Sequence, residues 1–371
     1  MRNLAPFIAG VVVASLSGCC TSRRCSTFNE TEHNYSFEPG ALQTALTSGT
    51  AKAADMLVLS GGGSHGAWGA GVLRGWRENV NKPRPKFRLV TGVSTGALLA
   101  TYAFLGDPED DDLLERAYTT VHTKDIYRNK FLLFALFSDS LKSSSPLKHT
   151  IAKYITTNTL SRVAAAGKAG RSLYVGAANL DTGKLVIWDL TKIAADDANP
   201  RRLELYRNVV YASASIPIAV PPVDIDQNLY CDGGARAQLF FVKHFIPAAR
   251  KLNAEAKTPN RPLMVHVIVN GQLGLQANCV CECLTDTGLK NGILPRTLDM
   301  LLDANANGDL FRVDDFCREL HAGRRMCWIP SDYPQLYPSD EFDPVQMTKL
   351  YEAGRNYGRT NAVWETEIPS P

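Results

Sequence analysis

The amino-acid sequence predicts an α/β protein in which a mostly parallel sheet is flanked by helices, folded as a single domain over residues 46–371. Met56–Ser60 and Phe87–Val93 are short apolar runs typical of buried strands, and each is followed by a glycine-containing turn. A helical pattern follows each turn, over His65–Trp76 and Thr95–Leu105. Two strand–turn–helix units in succession favour a parallel sheet with covering helices.

Length and composition limit the functional classes. The chain has 371 residues, of which 45% are hydrophobic and 21% are charged, as in an ordinary globular protein with a sizeable core. The formal net charge is only +3, and Lys and Arg are scattered along the chain. Because no basic block is present to follow a phosphate backbone, we expect no nucleic-acid partner.

The amino terminus has the features of an export signal over residues 1–18. Arg2 gives a positive start, and Phe7–Leu16 is as long as a signal-peptide core but too short to span a bilayer. A Leu-Ser-Gly-Cys motif that ends at Cys19 resembles the bacterial lipobox, in which a peptidase cuts before the cysteine and lipid is attached to its thiol. Residues 19–45 are polar and without periodicity, which predicts a flexible tether.

The lipobox resemblance implies that Cys19 carries lipid and anchors the mature protein in the membrane of a bacterial cell envelope. Cys20 rather than Asp follows the lipid site, so in a two-membrane bacterium we expect the outer membrane, at its periplasmic face or at the cell surface. An ordinary secretory signal peptide with a chance cysteine is the alternative.

Further elements are predicted downstream, where turn residues mark their ends. Asp181-Thr182-Gly183 is typical of a hairpin turn between two β-like runs. The predicted strands and helices are Ser172–Leu180, Lys184–Leu190, Leu229–Cys231 and Leu263–Val269 as strands, and Leu203–Ser215 and Pro344–Trp364 as helices. Phe131–Phe137 is interpreted as a buried core helix, with an acyl-chain pocket wall or interfacial lid as the alternative.

The second strand–helix junction carries a candidate nucleophile. Gly92-Val93-Ser94-Thr95-Gly96 is a G-x-S-x-G sequence between an apolar strand and an apolar helix, the setting of a nucleophile elbow. Gly92 and Gly96 would let the strand and the helix pack closely around the turn. The helix N-terminus would also offer a backbone N–H to a developing oxyanion. The alternative is a glycine-rich turn in which Ser94 only caps the helix.

The first junction carries a glycine loop, with Gly61, Gly62, Gly63 and Gly66 around Ser64 and His65. Its G-x-G-x-x-G spacing suits a dinucleotide, but the next strand ends in Gly-Val-Ser without the acidic residue that binds a ribose. A P-loop is excluded because no Gly-Lys-Ser/Thr ending is present. The remaining functional interpretation is an oxyanion hole made by the backbone N–H groups of Gly61–Gly63.

A hydrolytic serine needs a base, and no histidine lies in a recognisable catalytic motif. The seven histidines are His33, His65, His122, His149, His244, His266 and His321. His266 lies inside an apolar strand and is interpreted as a core residue, and His65 is expected to point away from the glycine loop. Asp232 follows a short strand and precedes Gly233 and Gly234, although Asp-Gly-Gly alone also fits a plain turn.

The three motifs together, in this order, resemble the patatin-like phospholipase family over residues 55–240. A Ser-Ala-Ser-Ile-Pro stretch that begins at Ser213 also resembles that family. The resemblance implies that Ser94 is the nucleophile, that Asp232 is the proton acceptor, and that the Gly61–Gly63 backbone is the oxyanion hole. It further implies a lipid acyl-ester substrate, of phospholipase A or lysophospholipase type, with no cofactor and no metal.

Two positions depart from the family pattern. The family often has Asp before its glycines, where this chain has Ser60, and Arg or Lys before the last glycine of the loop, where this chain has His65. A hole built from backbone groups should survive both changes. The loss of a charge near the substrate head group makes a phospholipid substrate a weaker expectation than ester hydrolysis.

Two other functions remain open at the sequence level. The first is an α/β-hydrolase with a Ser–Asp–His triad, for which His321 is the candidate histidine after Asp232. The second is a catalytically silent envelope lipoprotein that keeps the fold for binding, against which the intact Ser94 and Asp232 argue.

The cysteines suggest a further structural feature. Cys231 is expected to behave as a small buried hydrophobe. Five others cluster late in the chain, at Cys279, Cys281, Cys283, Cys317 and Cys327. In an exported protein such a cluster favours disulfides, with Cys317 and Cys327 linked to the first three. A zinc site is the minority alternative because the usual C-x-x-C spacing is missing.

Overall fold

The structure is a computed structural model of the whole chain, and its placed residues all belong to the compact unit Asn34–Pro371. The described residues are 35, 55–126, 128–129, 142–143, 145–217, 220–240, 263–274, 293–320, 322–334, 336–360 and 364–368.

Strands and helices alternate along most of the described chain. The strands are β1 (Asp55–Leu59), β2 (Leu89–Val93), β3 (Arg128–Asn129), β4 (Lys142–Ser143), β5 (Ser172–Asn179), β6 (Leu185–Asp189), β7 (Val223–Ile225), β8 (Asn228–Asp232), β9 (Met264–Ile268) and β10 (Gly323–Cys327). The helices are α1 (Gly66–Glu78), α2 (Thr95–Leu105), α3 (Pro108–Thr119), α4 (Thr123–Ile126), α5 (Ser145–Tyr154), α6 (Thr157–Lys168), α7 (Leu190–Ala195), α8 (Arg202–Ser213), α9 (Ile293–Glu319) and α10 (Pro344–Arg359).

Within the described residues an eight-stranded sheet forms the centre of the fold, in the order β10-β9-β1-β2-β5-β8-β7, with β6 also paired to β5. The five strands from β10 to β5 are parallel, whereas β6, β7 and β8 join by antiparallel pairs. Helices follow the parallel strands, as crossover connections require. The predicted fold class, a mostly parallel sheet flanked by helices in one domain, is confirmed.

Alternate residues of the central strands are buried on opposite faces of the sheet. In β1, Leu57 and Leu59 belong to one apolar cluster, and Met56 and Val58 belong to the other. The first cluster packs under α1 to α8 and α10, and the second includes Leu310 of α9. Because both faces are covered, β1 is a continuous apolar run rather than an alternating one.

Two helices outside the expected motifs begin at clear sequence signals. At α3, the Asp107 and Asp110 side chains form a capping box around Pro108 at the first helical position. At α10, the Asp343 side chain accepts from the N–H groups of Val345 and Gln346. These caps fix the start of each helix, and α10 then runs along α1.

The contact between α1 and α10 depends on glycines from both helices. A Cβ on Gly71 would lie 2.0 Å from the carbonyl oxygen of Tyr351, and a Cβ on Gly75 would lie 1.9 Å from that of Arg355. On the other side, a Cβ on Gly354 would lie 2.3 Å from the carbonyl oxygen of Trp68. The two backbones therefore approach more closely than helices with side chains at these positions allow.

The cysteine prediction is wrong for the two late cysteines that the structure describes. Cys317 and Cys327 are free thiols with fully buried side chains, and they belong to the apolar clusters on opposite faces of the sheet. Burial raises the thiol pKa of Cys317 to about 12 and that of Cys327 well above its usual range. Cys231 is buried and free, as predicted. Cys279, Cys281 and Cys283 lie outside the described residues.

Some other expectations fall on residues that are not described, among them the signal peptide, Cys19, Phe131–Phe137 and His321. Tyr35 lies in the predicted tether, and its carbonyl accepts from the Asp189 N–H at 2.8 Å. Within the described ranges, no helix combines the length and the apolar character needed to cross a bilayer.

Candidate active site

Ser94 occupies the sharp turn between β2 and α2. Its φ of 55° and ψ of −124° are strained for a residue with a side chain, as expected of a nucleophile elbow. The flanking glycines are needed for space. A Cβ on Gly92 would lie 2.3 Å from the Gly96 carbonyl oxygen, and a Cβ on Gly96 would lie 2.5 Å from that of Leu59. The predicted elbow is therefore present in the backbone.

The strand register brings Asp232 to Ser94 from a distant part of the chain. Strands β2 and β8 both pair with the edge of β5 opposite β6, β2 in parallel and β8 antiparallel. Val93 pairs with Gly176, and Asp232 pairs with the next residue, Ala177. The ends of β2 and β8 therefore meet, and Asp232 lies beside the residue that follows Val93.

The two side chains form a buried pair. The Ser94 side chain lies close to the Asp232 carboxyl, and the Gly234 N–H donates to Asp232 Oδ1 at 2.7 Å. Ser94 is 7% exposed and Asp232 is 5% exposed. Burial raises the pKa of Asp232 to about 7, and the nearby Ser94 side chain and the Gly234 N–H oppose that rise. A carboxylate with this pKa can both accept and return a proton near neutral pH.

The end of α8 ties the backbone of both residues in place. Ser213 Oγ accepts a hydrogen bond from the Ser94 N–H at 3.0 Å and donates one to the Gly176 carbonyl at 2.6 Å. The Asp232 N–H donates to the Ser215 carbonyl at 2.8 Å. In the sequence, the Ser213–Pro217 stretch carries only a family resemblance. The structure shows that two of its residues hold the backbone of the elbow and of Asp232.

The glycine loop lies against the elbow. A Cβ on Gly61 would lie 3.2 Å from Ser94 Cβ, which places the loop in contact with the candidate nucleophile. Gly62 has a φ of 145° and Gly63 has a φ of 55°, conformations that favour glycine. Among the hydrogen bonds of the described residues, none uses the N–H of Gly61, Gly62 or Gly63 as a donor. Within the described part of the chain, no acceptor therefore occupies these three donors.

Ser60 and Asn270 hold the glycine loop through a set of hydrogen bonds. Ser60 Oγ donates to the Gly61 carbonyl at 2.7 Å and accepts from the Asn270 N–H at 2.8 Å. Asn270 Nδ2 donates to the Ser60 carbonyl at 2.8 Å, and Asn270 Oδ1 accepts from the Gly69 N–H at 3.1 Å. Ser60, a departure from the family pattern, is thus part of a polar clamp. Sequence analysis missed Asn270, which follows β9 without any motif.

A segment before α10 holds the other side of the loop. The Ser64 N–H and hydroxyl both donate to the Ser339 carbonyl, at 2.8 and 3.0 Å. His65 is buried, lies within 2.7 Å of the Tyr337 carbonyl through Nε2, and packs edge-on against the Tyr337 ring. Burial lowers the pKa of His65, so the ring is neutral at pH 7. His65 therefore faces this segment, as expected.

The described histidines do not serve as partners of the pair. The structure describes His65, His122, His149 and His266. None of these four forms a hydrogen bond with Ser94 or Asp232. His266 is a core residue of β9, as predicted, and its Nε2 lies 2.9 Å from Asp55 Oδ1. His321, the histidine of the alternative triad, lies outside the described residues.

Comparison with known families decides the ancestry of this site. The model of the patatin-like phospholipase family matches residues 57–242, a range that includes the glycine loop, the Ser94 elbow and Asp232. The chain belongs to the patatin-like phospholipase family. Membership in this family indicates a lipid acyl hydrolase. Asn270 and Ser339, which hold the glycine loop, lie beyond the matched residues of this patatin-like protein.

Other comparisons add little to that assignment. VipD from Legionella pneumophila is a similar solved structure, with 12% sequence identity, a TM-score of 0.32, and coverage of 83% of this chain and 67% of that chain. Comparison with curated proteins gives no match.

Ser213 offers a test of the elbow that leaves the reacting atoms unchanged. We expect Ser213→Ala to lower kcat by about ten- to a hundredfold with little change in KM, because the Ser94 N–H loses the hydroxyl that positions it. Steady-state kinetics on any ester that the wild type cleaves will measure this effect.

Ser215→Ala is the matched control, since Ser215 is equally buried and its hydroxyl donates to the Tyr211 carbonyl of α8, and the substitution keeps the Ser215 carbonyl that Asp232 uses. Equal kinetic effects of the two substitutions would contradict a positioning role for Ser213.

Proposed function

We propose that the protein is a serine acyl-ester hydrolase that acts on lipids through a Ser94–Asp232 dyad. The observation that carries the proposal is the juxtaposition of Ser94, at a strained elbow, with the buried Asp232, which the pairing of β2 and β8 with β5 brings to the same place. Burial raises the pKa of Asp232 to about 7, which suits a general base. The N–H groups of Gly61–Gly63, which bind no acceptor among the described residues, lie beside Ser94 and support an oxyanion hole. Family membership supports lipids as the substrate class.

The proposed reaction has two symmetrical halves. Ser94 Oγ attacks the ester carbonyl carbon while its proton passes to Asp232, and the negative charge on the carbonyl oxygen is held by the glycine-loop N–H groups. Collapse of the intermediate breaks the bond to the alcohol oxygen, which takes the proton from Asp232. Water then attacks the acyl-enzyme in the same way, releasing the fatty acid and restoring Ser94.

The substrate is proposed to be a phospholipid or lysophospholipid, cleaved at an acyl ester. His65 stands where the family often has Arg or Lys, and its neutral ring is buried against Tyr337. Head-group binding therefore does not depend on a charge at this position. A panel from short p-nitrophenyl esters to phospholipids, with Ser94→Ala as the control, tests both the chemistry and the lipid class.

The dyad predicts a specific pattern of inactivation. Ser94→Ala and Asp232→Asn should each abolish ester hydrolysis while circular dichroism and thermal unfolding show an intact fold. Because the two residues act as one unit, the double variant should be hardly slower than either single variant. Retained activity in Asp232→Asn together with loss in His321→Ala would favour the Ser–Asp–His triad instead.

The ionisation of Asp232 predicts the pH profile. Asp232 accepts a proton only when ionised, and burial raises its pKa to about 7. We therefore expect kcat/KM to rise with pH through about 7 and to level off above it. Because the folded-state pKa of about 7 lies above the unfolded value of about 4, Asp232 lowers stability progressively as pH rises from about 4 to about 7, so Asp232→Asn should reduce the loss of Tm over that range. An activity that falls across the same range would contradict the assignment of Asp232 as base.

The protein is further proposed to be a lipoprotein of the bacterial cell envelope, modified at Cys19. The support is the order of Arg2, an apolar core and a Leu-Ser-Gly-Cys motif. Tyr35 contacts the domain at Asp189, and the 16 residue steps from Cys19 to Tyr35 can span at most about 58 Å. An anchor of this length would keep the active site close to a bilayer, which suits a lipid substrate.

Lipid attachment is tested by fractionation of cells that produce the full chain. Cys19→Ser should release the protein from membranes or leave an uncut precursor, and Cys25→Ser is the matched control that should change neither. A fully soluble wild type with a mature N-terminus other than Cys19 would refute the anchor and leave the hydrolase proposal intact.

A further inference from the structure

Gln238 places a carboxamide beside the candidate dyad. Gln238 follows the turn at Asp232, Gly233 and Gly234, which is called the Asp232 loop below, and its side chain is 8% exposed. A Cβ on Gly61 would lie 2.2 Å from Gln238 Oε1, and a Cβ on Gly234 would lie 2.6 Å from Gln238 Nε2. The carboxamide therefore lies between the glycine loop and the Asp232 loop, in space that exists because both positions are glycine.

Both glycines that border the carboxamide also border a reacting group. The same Cβ on Gly61 would lie 3.2 Å from Ser94 Cβ, and the same Cβ on Gly234 would lie 3.0 Å from Asp232 Oδ1. Nε2 is thus on the side of the base, and Oε1 is on the side of the glycine loop.

The main chain around Gln238 is fixed from two sides. Asp309 Oδ2 of α9 accepts from the N–H of Gln238 at 2.7 Å and from that of Leu239 at 3.2 Å. Thr91 Oγ1 of β2 donates to the Phe240 carbonyl at 3.2 Å. A side chain on so constrained a backbone is oriented before substrate binds, which limits the entropy lost on binding.

The hydrogen bond that the structure gives Gln238 uses its main-chain N–H, which leaves the orientation of the carboxamide to packing against the two glycine positions. Because the same two glycine positions border Ser94 and Asp232, the carboxamide lies within reach of an ester bound at the candidate dyad.

We propose that Gln238 is a catalytic residue whose Nε2 donates a hydrogen bond to the leaving oxygen of the ester, an inference that rests on the proposed hydrolase function. The leaving oxygen must lie near Asp232 to receive its proton, and Nε2 lies on that side of the site. When the bond between the carbonyl carbon and this oxygen breaks, its electron pair moves to the oxygen. The Nε2 donor stabilises that charge until the Asp232 proton arrives.

A leaving-group comparison tests this role. Gln238→Met keeps the length of the side chain and removes its donor, so kcat/KM for an alkyl ester such as monooctanoylglycerol should fall by about a hundredfold. A p-nitrophenyl octanoate has the same acyl chain and a leaving group that needs little assistance, so its kcat/KM should change little. Gln346→Met on the exposed face of α10 is the matched control and should leave both substrates unaffected.

Gln238→Leu provides a second variant of similar size in case the Met variant is unstable. Its apolar side chain cannot donate and adds no charge beside Asp232, so the same selective loss on the alkyl ester is expected. An unchanged kcat/KM on the alkyl ester, or an equal loss on both esters, would overturn the leaving-group role. A wild type inactive on both esters, or as active as Ser94→Ala, would instead refute the hydrolase and this proposal with it.

Discussion

The candidate site depends on the pairing of β2 and β8 with one edge of β5. Because these two strands approach along the same edge from opposite directions, Ser94 and Asp232 come together although most of the matched domain lies between them in sequence. The end of β8 packs tightly against β5, since a Cβ on Gly233 would lie 2.4 Å from the Gly176 carbonyl oxygen. A slip of one residue in β8 would turn Asp232 to the opposite face of the sheet and dismantle the pair.

This arrangement concentrates unfavourable features in one place. Ser94 is held at a strained φ, and Asp232 is a carboxyl group in a buried setting that disfavours its ionised form. Neither feature would persist alone. The hydroxyl of Ser213, the carbonyl of Ser215 and the N–H of Gly234 fix the backbone or the carboxylate through buried hydrogen bonds. These hydrogen bonds therefore offset the free-energy cost of the strained Ser94 backbone and of the buried Asp232 carboxyl, and they keep both residues in fixed positions.

Local patterns predicted the parts of the site, and non-local packing determined the rest. The strand–turn–helix units and the elbow at Ser94 were predictable because each is encoded within a few neighbouring residues. Asp232 gained a role only through a family resemblance, since its partner lies far away in sequence. Asn270 and Gln238 carry no motif, and their positions follow from strand order and from α9. The disulfide predicted for Cys317 is absent, and the prediction fails because sequence spacing cannot distinguish a disulfide-bonded cysteine from a buried apolar one.

The region beyond the family match belongs to the same machinery. Helix α10 lies against α1 at glycine positions on both helices, and α1 is the helix that the glycine loop enters. The segment before α10 supplies the Ser339 carbonyl that binds Ser64, and a Cβ on Gly63 would lie 2.1 Å from that oxygen. A shift of α10 would therefore move both the helix and the loop that is proposed to offer the oxyanion donors. The carboxyl-terminal part of the chain thus sets the geometry of a site whose proposed reacting groups all lie before it.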